Sequence, residues 1–102
     1  MSKDIETTIK ILNTIAKDSE VSQRDIAKAI GVSLGKVNYV LKALIAKGFI
    51  KTENFLNNKN KWAYKYILTP KGMKQKVKIT REFVKSKIEE YEALLREEED
   101  EI

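Results

Sequence analysis

The segment spanning residues 23–42 constrains the fold more than any other, because it contains two short helical patterns separated by a turn. It reads QRDIAKAIGVSLGKVNYVLK, and the two patterns meet at residues 31–33. Ala27 is small enough to let two helices cross closely, and Gly31 can adopt the positive φ that ends a helix. Val37 supplies a branched side chain for the angle between the helices. The spacing predicts a helix-turn-helix, a motif whose second helix enters the major groove of DNA.

Caps and apolar spacing predict three helices in the first half of the chain. The first is predicted from Asp4 to Lys17, where isoleucines, a leucine and Ala16 recur at helical spacing. The second begins at the Ser22 cap, and the third runs from the Ser33 cap to about Lys47. The residues of the third helix expected to face inward are Val37, Val40, Leu41, Leu44 and Ile45.

A β-hairpin is predicted after Gly48, which is a helix-ending signal. Residues 49–53 and 62–68 are rich in β-branched and aromatic side chains, and the polar residues 54–61 form the predicted tip. A hairpin that directly follows a helix-turn-helix is a wing. Trp62, Tyr64 and Tyr66 alternate on one face of the second strand, so they are expected to pack in the core or a dimer. Stacking on single-stranded nucleic acid is the alternative.

A single long helix is predicted for the end of the chain. Thr69 is an N-cap, Pro70 suits the first helical position, and the helix extends from Met73 to about Glu98. Its large apolar side chains recur at spacings of seven, four, three and four, with Arg81 at the one interruption. The predicted dimer interface consists of Val77, Val84, Ile88, Tyr91 and Leu95. Folding back onto its own domain is the alternative for this seam.

The predicted fold class is therefore mainly α with a small β-hairpin (α+β), arranged as a winged helix-turn-helix with a long C-terminal dimerisation helix. Residues 1–70 form the DNA-binding part. Residues 71–102 form the long helix with a frayed acidic end, and both parts make one structural unit. The apolar stripe of the long helix is too long to be buried by so small a domain. A second copy of the chain is the simplest partner that would cover it.

Composition excludes several classes of site. The 102 residues include no histidine and no cysteine, which removes the usual zinc ligands, Cys or His nucleophiles and disulfides. No apolar run approaches the about 20 residues of a membrane span, and the first residues lack the apolar segment of a signal peptide. We therefore expect a cytoplasmic protein that is not an enzyme, has no cofactor and does not contact a membrane.

Charge is segregated along the chain. Residues 22–81 hold 14 basic and two acidic side chains, whereas residues 82–102 hold three basic and nine acidic ones. A basic segment followed by an acidic one indicates a surface that binds a polyanion. Repulsion would keep the acidic segment away from that polyanion. The concentration of positive charge around a helix-turn-helix favours double-stranded DNA as the partner.

Candidate contact residues follow from this interpretation. On the exposed edge of the third helix, side chains that can donate to or accept from base edges are Ser33, Lys36, Asn38 and Tyr39. Phosphate contacts are expected at three places: the start of the second helix, the second half of the third helix and the wing. The residues are Gln23, Arg24, Lys42, Asn57, Asn58, Lys59, Asn60 and Lys61. Each set has a plain structural alternative, namely a solvated helix face, a capped helix terminus and a mobile polar turn. The lysines between residues 71 and 78 are equally suited to flanking phosphates and to a solvated face.

The order helix, helix-turn-helix, wing and long helix resembles the MarR-type winged-helix transcriptional regulators. The residues that carry the resemblance are VSQRDIAKAIGVSLGKVNYVLKALIAKGFI, the basic hairpin and the segment from Ile67 to Gly72, which looks like the LTPKG sequence that often closes the wing in this family. The short length and the NKNKWAYKY hairpin look most like the subgroup associated with exopolysaccharide gene clusters. The resemblance implies a homodimeric transcriptional regulator, and it covers about residues 5–95.

This sequence departs from the family pattern at two places. Lys59 and Lys61 stand at the wing, where many members carry an acid-x-Arg pair whose arginine enters the minor groove. One C-terminal helix remains where typical members have two that interlock, so the dimer interface must differ. Many members also bind small phenolic ligands near those helices, and whether this chain has an effector is left open.

Two other classes of function are weighed against a sequence-specific, homodimeric DNA-binding regulator. A winged helix used for protein–protein contact would bind through the long helix and the acidic end. An enzyme would need a nucleophile–base pair or a ligand cluster, and the pattern of residues contains neither.

Overall fold

The fold contains four helices and one hairpin among the residues that the structure describes. This computed structural model describes the backbone of residues 3–101 and the side chains of residues 5–101. In chain order the elements are α1 (Lys3–Lys17), α2 (Gln23–Ile30), α3 (Leu34–Ala46), β1 (Ile50–Leu56), β2 (Trp62–Leu68) and α4 (Pro70–Asp100). The predicted fold class is confirmed, while the outermost residues of the two predicted parts, 1, 2 and 102, lie outside the described residues.

Residues 22–46 form the predicted helix-turn-helix. Ser22 caps α2 by accepting a hydrogen bond from the backbone N–H of Asp25 at 3.0 Å. Gly31 ends the helix with a φ of 73°, in the left-handed region that glycine adopts without strain. Ser33 caps α3 in the same way, and the chain bends by 113° between the two helices. This bend lies in the range typical of helix-turn-helix motifs.

The core lies where α1, α2 and α3 meet the base of the hairpin and the start of α4. Ala27 is buried where the helices cross, and Val37 is fully buried between α2 and α3, as predicted. One inward position was wrong, because Ile45 is 38% exposed. It lies at the border of an apolar stripe, where burial depends on the neighbouring element. The other fully or nearly fully buried side chains are Ile11, Leu12, Ile15, Ile26, Leu41 and Ile50.

The hairpin is longer than predicted. The strands are antiparallel, and their register pairs Ile50 with Leu68 at the base and Leu56 with Trp62 at the outer end. Residues 54–56, which were expected in the tip, therefore belong to β1, and the turn comprises residues 57–61 only. The physical reason is that cross-strand pairing with aromatic residues of β2 offsets the low strand propensity of asparagine.

The start of α4 is held against the turn between α3 and β1. The Thr69 side chain caps α4 by accepting from the Gly72 N–H at 3.0 Å, and its hydroxyl donates to the Gly48 carbonyl at 2.6 Å. Lys71 Nζ donates to the Lys47 carbonyl at 2.9 Å. Gly72 packs so closely that an added Cβ would lie 1.9 Å from the Phe49 carbonyl oxygen. These contacts explain the sequence Leu-Thr-Pro-Lys-Gly at this place.

Helix α4 has 31 residues and gives the described chain a long axis of 65 Å. One side of its first half packs on the core through Gly72, Ile79 and Phe83. A second side carries the predicted seam, and the five seam residues are 47–63% exposed. In a single chain this apolar stripe therefore remains in contact with water.

Within residues 3–101, no single helix has both the length and the apolar character needed to span a membrane. Only α2 and α3 taken together meet those two criteria, as a pair bent by 113°.

Candidate nucleic-acid interface

The outward face of α3 is formed by residues opposite its buried side. Because the buried residues include Val37, Leu41 and Leu44, helical spacing places Gly35, Tyr39, Lys42 and Ala46 at the centre of the outward face. All four are exposed, and the Tyr39 side chain is 70% exposed. The most outward positions thus carry one aromatic, one basic and two small side chains.

The four predicted base-contacting residues occupy different environments. Tyr39 lies on the outward face, and Lys36 Nζ lies 5.8 Å from the centre of its ring. The Ser33 hydroxyl accepts from the Lys36 N–H at 3.0 Å and so serves the helix cap. Asn38 is half-buried at the flank and not on the fully exposed edge. Base contact by these residues stays a prediction, and Lys42 is a further exposed residue of the outward face.

Asn38 belongs to a row of hydrogen-bonded polar side chains that joins three elements. Its Nδ2 donates to Gln23 Oε1 at 3.2 Å, and Gln23 Nε2 donates to the Tyr66 hydroxyl at 3.0 Å. These hydrogen bonds thus connect α3, through the first residue of α2, to β2. We call this row the Asn38–Gln23–Tyr66 bridge. Sequence reasoning missed this bridge, because its partners are 15 and 43 residues apart.

The start of α2 was predicted to contact phosphate. Arg24 is exposed in the first turn, where backbone N–H groups lack helical partners. The side chain of Gln23 is committed to the bridge, so its predicted phosphate contact would come from its backbone alone. That contact and the one from Arg24 remain predictions.

The wing, which we define as residues 50–68, has an ordered turn at its tip. The Asn57 Oδ1 atom accepts from the N–H groups of Lys59 at 2.9 Å and Lys61 at 3.1 Å. Asn60 adopts a left-handed φ of 57°, a conformation that asparagine tolerates. Asn57 and Asn60 therefore shape the turn, and Asn58, Lys59 and Lys61 are exposed on it.

The aromatic residues of β2 are exposed to very different degrees. Tyr66 is 6% exposed and belongs to the core, but Tyr64 is 59% and Trp62 is 73% exposed. The two outer residues therefore do not pack in the core, whereas their packing in a dimer and the alternative of stacking on a single strand stay predictions. The helices reach only the base of the hairpin, and the outer half extends beyond them. Neither β-propensity nor alternation contains a signal for this difference.

Acidic side chains lie away from the surface shared by α3 and the wing. Of the two acids between residues 22 and 81, Glu53 lies on the reverse face of the wing, where its Oε1 is 3.8 Å from Lys51 Nζ. Asp25 lies in the first turn of α2, where the positive end of the helix dipole stabilises its carboxylate. The outward face of α3 carries Lys42, the wing tip carries Lys59 and Lys61, and neither of these two regions contains an acidic residue.

Sites for other ligands are limited in the part of the chain that the structure describes. Among the side chains of residues 5–101, no group of three or more acidic residues has the arrangement of a metal site. A cleft of about 340 Å³ lies between α1, α3 and α4, and its lining includes Ile5, Tyr39, Leu44, Phe49 and Ile79. Its walls are mainly apolar, and Thr8, Lys47 and Gln75 add polar groups to the lining.

Comparisons with known proteins agree with this architecture. The family described as winged helix-turn-helix DNA-binding matches residues 6–51. Among solved structures, the chain is similar to smu.1704 from Streptococcus mutans UA159, with 22% identity, a TM-score of 0.74, and coverage of 84% of this chain and 83% of that one. No curated protein matches the sequence.

Two further similar structures come from Staphylococcus aureus. MepR in complex with DNA shows 23% identity and a TM-score of 0.62, with 85% of this chain and 60% of MepR covered. MarR in complex with salicylate and kanamycin shows 28% identity and a TM-score of 0.55, with 84% and 55% covered. This chain therefore spans little more than half the length of those two proteins.

The resemblance to MarR-type proteins is thus confirmed by a family match over the helix-turn-helix and by a shared fold over most of the chain. The narrower likeness to the exopolysaccharide-associated subgroup stays a prediction. The chain therefore has a winged helix-turn-helix fold that is similar to MarR-type proteins, and the family model that matches residues 6–51 is described as DNA-binding.

Proposed function

We propose that this protein is a transcriptional regulator that binds specific sequences of double-stranded DNA as a homodimer. In each subunit α3 would enter the major groove, and the wing tip would contact the backbone or the minor groove of the same half-site. The single observation that supports the proposal is the cleft in which Lys42 of the outward face of α3 lies beside Thr52 and Tyr64 of the wing, whose tip carries Lys59 and Lys61. No carboxylate of residues 22–81 lies between them.

The predicted seam of α4 supports the homodimer. Val77, Arg81, Val84 and Ile88 follow the alternating spacings of four and three residues that coiled coils use, and Tyr91 and Leu95 continue the series. Open grooves of about 630 and 510 Å³ run beside these residues. Complete burial of one such side chain contributes about 1.5–3 kcal/mol, so covering the seam with the seam of a second copy favours a dimer.

Charge along α4 favours an antiparallel arrangement of the two copies. Residues 70–81 contain five basic and no acidic side chains, whereas residues 82–101 contain nine acidic and three basic ones. Parallel helices would place like charges side by side, but antiparallel helices place the basic half of one copy against the acidic half of the other. The centre of the seam lies near residue 86, so Val77 would face Leu95 of the second copy.

The test of DNA binding uses the dependence of affinity on salt. We expect Lys59→Ala and Lys61→Ala each to weaken binding on every duplex and to reduce the slope of log K against log salt by about 1. Lys87→Ala is the matched control, because Lys87 lies in α4 and pairs with Glu90 at 3.4 Å. Its slope should equal that of the wild type.

Selection of bound fragments from random duplexes tests specificity in parallel. A palindromic consensus would support both sequence reading and the dimer. The alternative function, a winged helix that binds only other proteins, predicts no retention of any duplex even at low salt, and that result would overturn the proposal.

A further inference from the structure

Three large apolar side chains are exposed together on the outer half of the wing. The strand register places Leu56 opposite Trp62 and Asn54 opposite Tyr64, and directly paired residues lie on the same face of a sheet. Leu56, Trp62 and Tyr64 are 57%, 73% and 59% exposed. We call this the aromatic face of the wing. An exposed apolar cluster of this kind requires an explanation.

The aromatic face is turned towards α3. Tyr66, on the same side of β2, reaches α2 through its hydrogen bond with Gln23. Tyr64 and Thr52 form one wall of a cleft of about 240 Å³, and Lys42 and Ile45 of α3 lie on its other wall. The cleft therefore lies between the outward face of α3, at Lys42, and the aromatic face, at Tyr64.

Duplex geometry determines what would occupy this cleft. The major and minor grooves of B-DNA are separated by one sugar–phosphate strand. If α3 lies in the major groove and the wing tip lies in the adjacent minor groove, that strand must pass between them. A sugar–phosphate strand presents anionic phosphates and apolar faces of deoxyribose in alternation.

The chemistry of the cleft matches such a strand. Lys42 stands on one wall, and Lys59 and Lys61 stand at the outer end of the wing. The aromatic face itself carries no acid, because the only acid of the hairpin, Glu53, points to the reverse face and lies 3.8 Å from Lys51. The surface thus offers positive charge for phosphates and ring faces for deoxyriboses.

We propose that Trp62 and Tyr64 pack against deoxyriboses of the DNA strand that runs between α3 and the wing. This inference rests on the proposed function, and it assigns to the aromatic face the part of the affinity that does not depend on salt. Lysine contacts release counterions and therefore set the salt slope, whereas apolar packing on sugar releases none.

The experiment separates these two contributions by titrating a duplex at several salt concentrations. We expect Trp62→Ala and Tyr64→Ala each to weaken binding about tenfold at every salt concentration, with the slope of the wild type retained. Trp62→Phe should restore most of the affinity, since an aromatic ring remains. Phe55→Ala is the matched control, because Phe55 belongs to the same hairpin but lies on its reverse face.

A second measurement needs no substitution. Trp62 is the only tryptophan of the chain and is 73% exposed, so its fluorescence reports on the aromatic face directly. Duplex DNA should shift its emission to shorter wavelength and protect it from a soluble quencher such as acrylamide.

The outcomes distinguish this inference from the proposed function. Wild-type binding combined with unchanged affinity of Trp62→Ala and Tyr64→Ala would overturn the inference alone. A larger fluorescence change with the single strand than with the duplex would also overturn it, because stacking on free bases would then be the contact. A wild-type protein that binds no duplex would overturn both.

Discussion

At the scale of single residues, the close approach of Gly72 to Phe49 is the contact that holds the start of the long helix against the turn between α3 and β1. Thr69 and Lys71 hydrogen-bond to carbonyls at the end of α3, and this draws the first turn of α4 onto the backbone of Phe49. The space left at Gly72 excludes even a methyl group, since its Cβ would lie 1.9 Å from a carbonyl oxygen. Backbone on both sides of this contact prevents a simple side-chain adjustment.

We expect Gly72→Ala to lower the free energy of unfolding by about 1–3 kcal/mol, because the clash forces α4 away from the α3–β1 turn. Gly35→Ala is the control, since nothing lies within 4 Å of a Cβ built at that helical position. Alanine should stabilise α3 there by about 0.5–1 kcal/mol. Chemical denaturation of both variants checks the prediction, and equal stability of the two would contradict it.

At the scale of elements, the Asn38–Gln23–Tyr66 bridge fixes the position of the wing relative to α3. A two-stranded hairpin is only marginally stable alone, and its packing on helices holds it in place. The Tyr66 side chain is buried against the core, and its backbone N–H also donates to the Ser19 carbonyl at 2.9 Å. The base of the wing is therefore rigidly connected to α1 and α2, and the bridge extends this connection to α3.

A double-mutant cycle tests the bridge. Tyr66→Phe and Asn38→Ala should each cost about 1 kcal/mol of stability, because each removes one hydrogen bond to Gln23. Tyr66 and Asn38 are joined only through Gln23, so we expect a coupling free energy of about 0.5 kcal/mol that disappears when Gln23→Ala is added. Strictly additive effects in the wild-type background would argue against a connected bridge.

At the scale of the whole molecule, the distribution of charge and apolar surface on α4 determines how two copies would meet. The helix is about 46 Å long at about 1.5 Å per residue, and much of it extends beyond the winged domain. One side of its first half serves the core through Ile79 and Phe83, and the seam is available for a second copy. The basic first half and acidic second half favour antiparallel pairing.

Disulfide cross-linking tests this orientation, and the chain suits it because it contains no cysteine. In an antiparallel pair the two Leu95 residues would be about 27 Å apart, far beyond the reach of a disulfide. Leu95→Cys and Val77→Cys should therefore stay uncross-linked as single variants, whereas the double variant should give covalent dimers on oxidation. Cross-linking of Leu95→Cys alone would indicate parallel helices, and sedimentation of a monomer at micromolar concentration would exclude the dimer.

Much of the fold could be predicted because its signals are local. Caps at Ser22, Ser33 and Thr69, the glycine that ends α2 and the 3.6-residue spacing of apolar side chains act within a few residues of one another. The helix-turn-helix, the existence of the wing and the start of the long helix followed from them.

Only the tertiary structure determined which side chains of a predicted surface are exposed to solvent and not engaged in hydrogen bonds with other elements. Trp62, Tyr64 and Tyr66 have the same alternation, yet the helices cover only Tyr66, because the hairpin extends past the core. Asn38 was predicted at an exposed edge, and its hydrogen bond with Gln23 depends on how α2 crosses α3. Local chemistry determines where elements begin and end, whereas exposure and long-range hydrogen bonds depend on the distances that packing sets between elements.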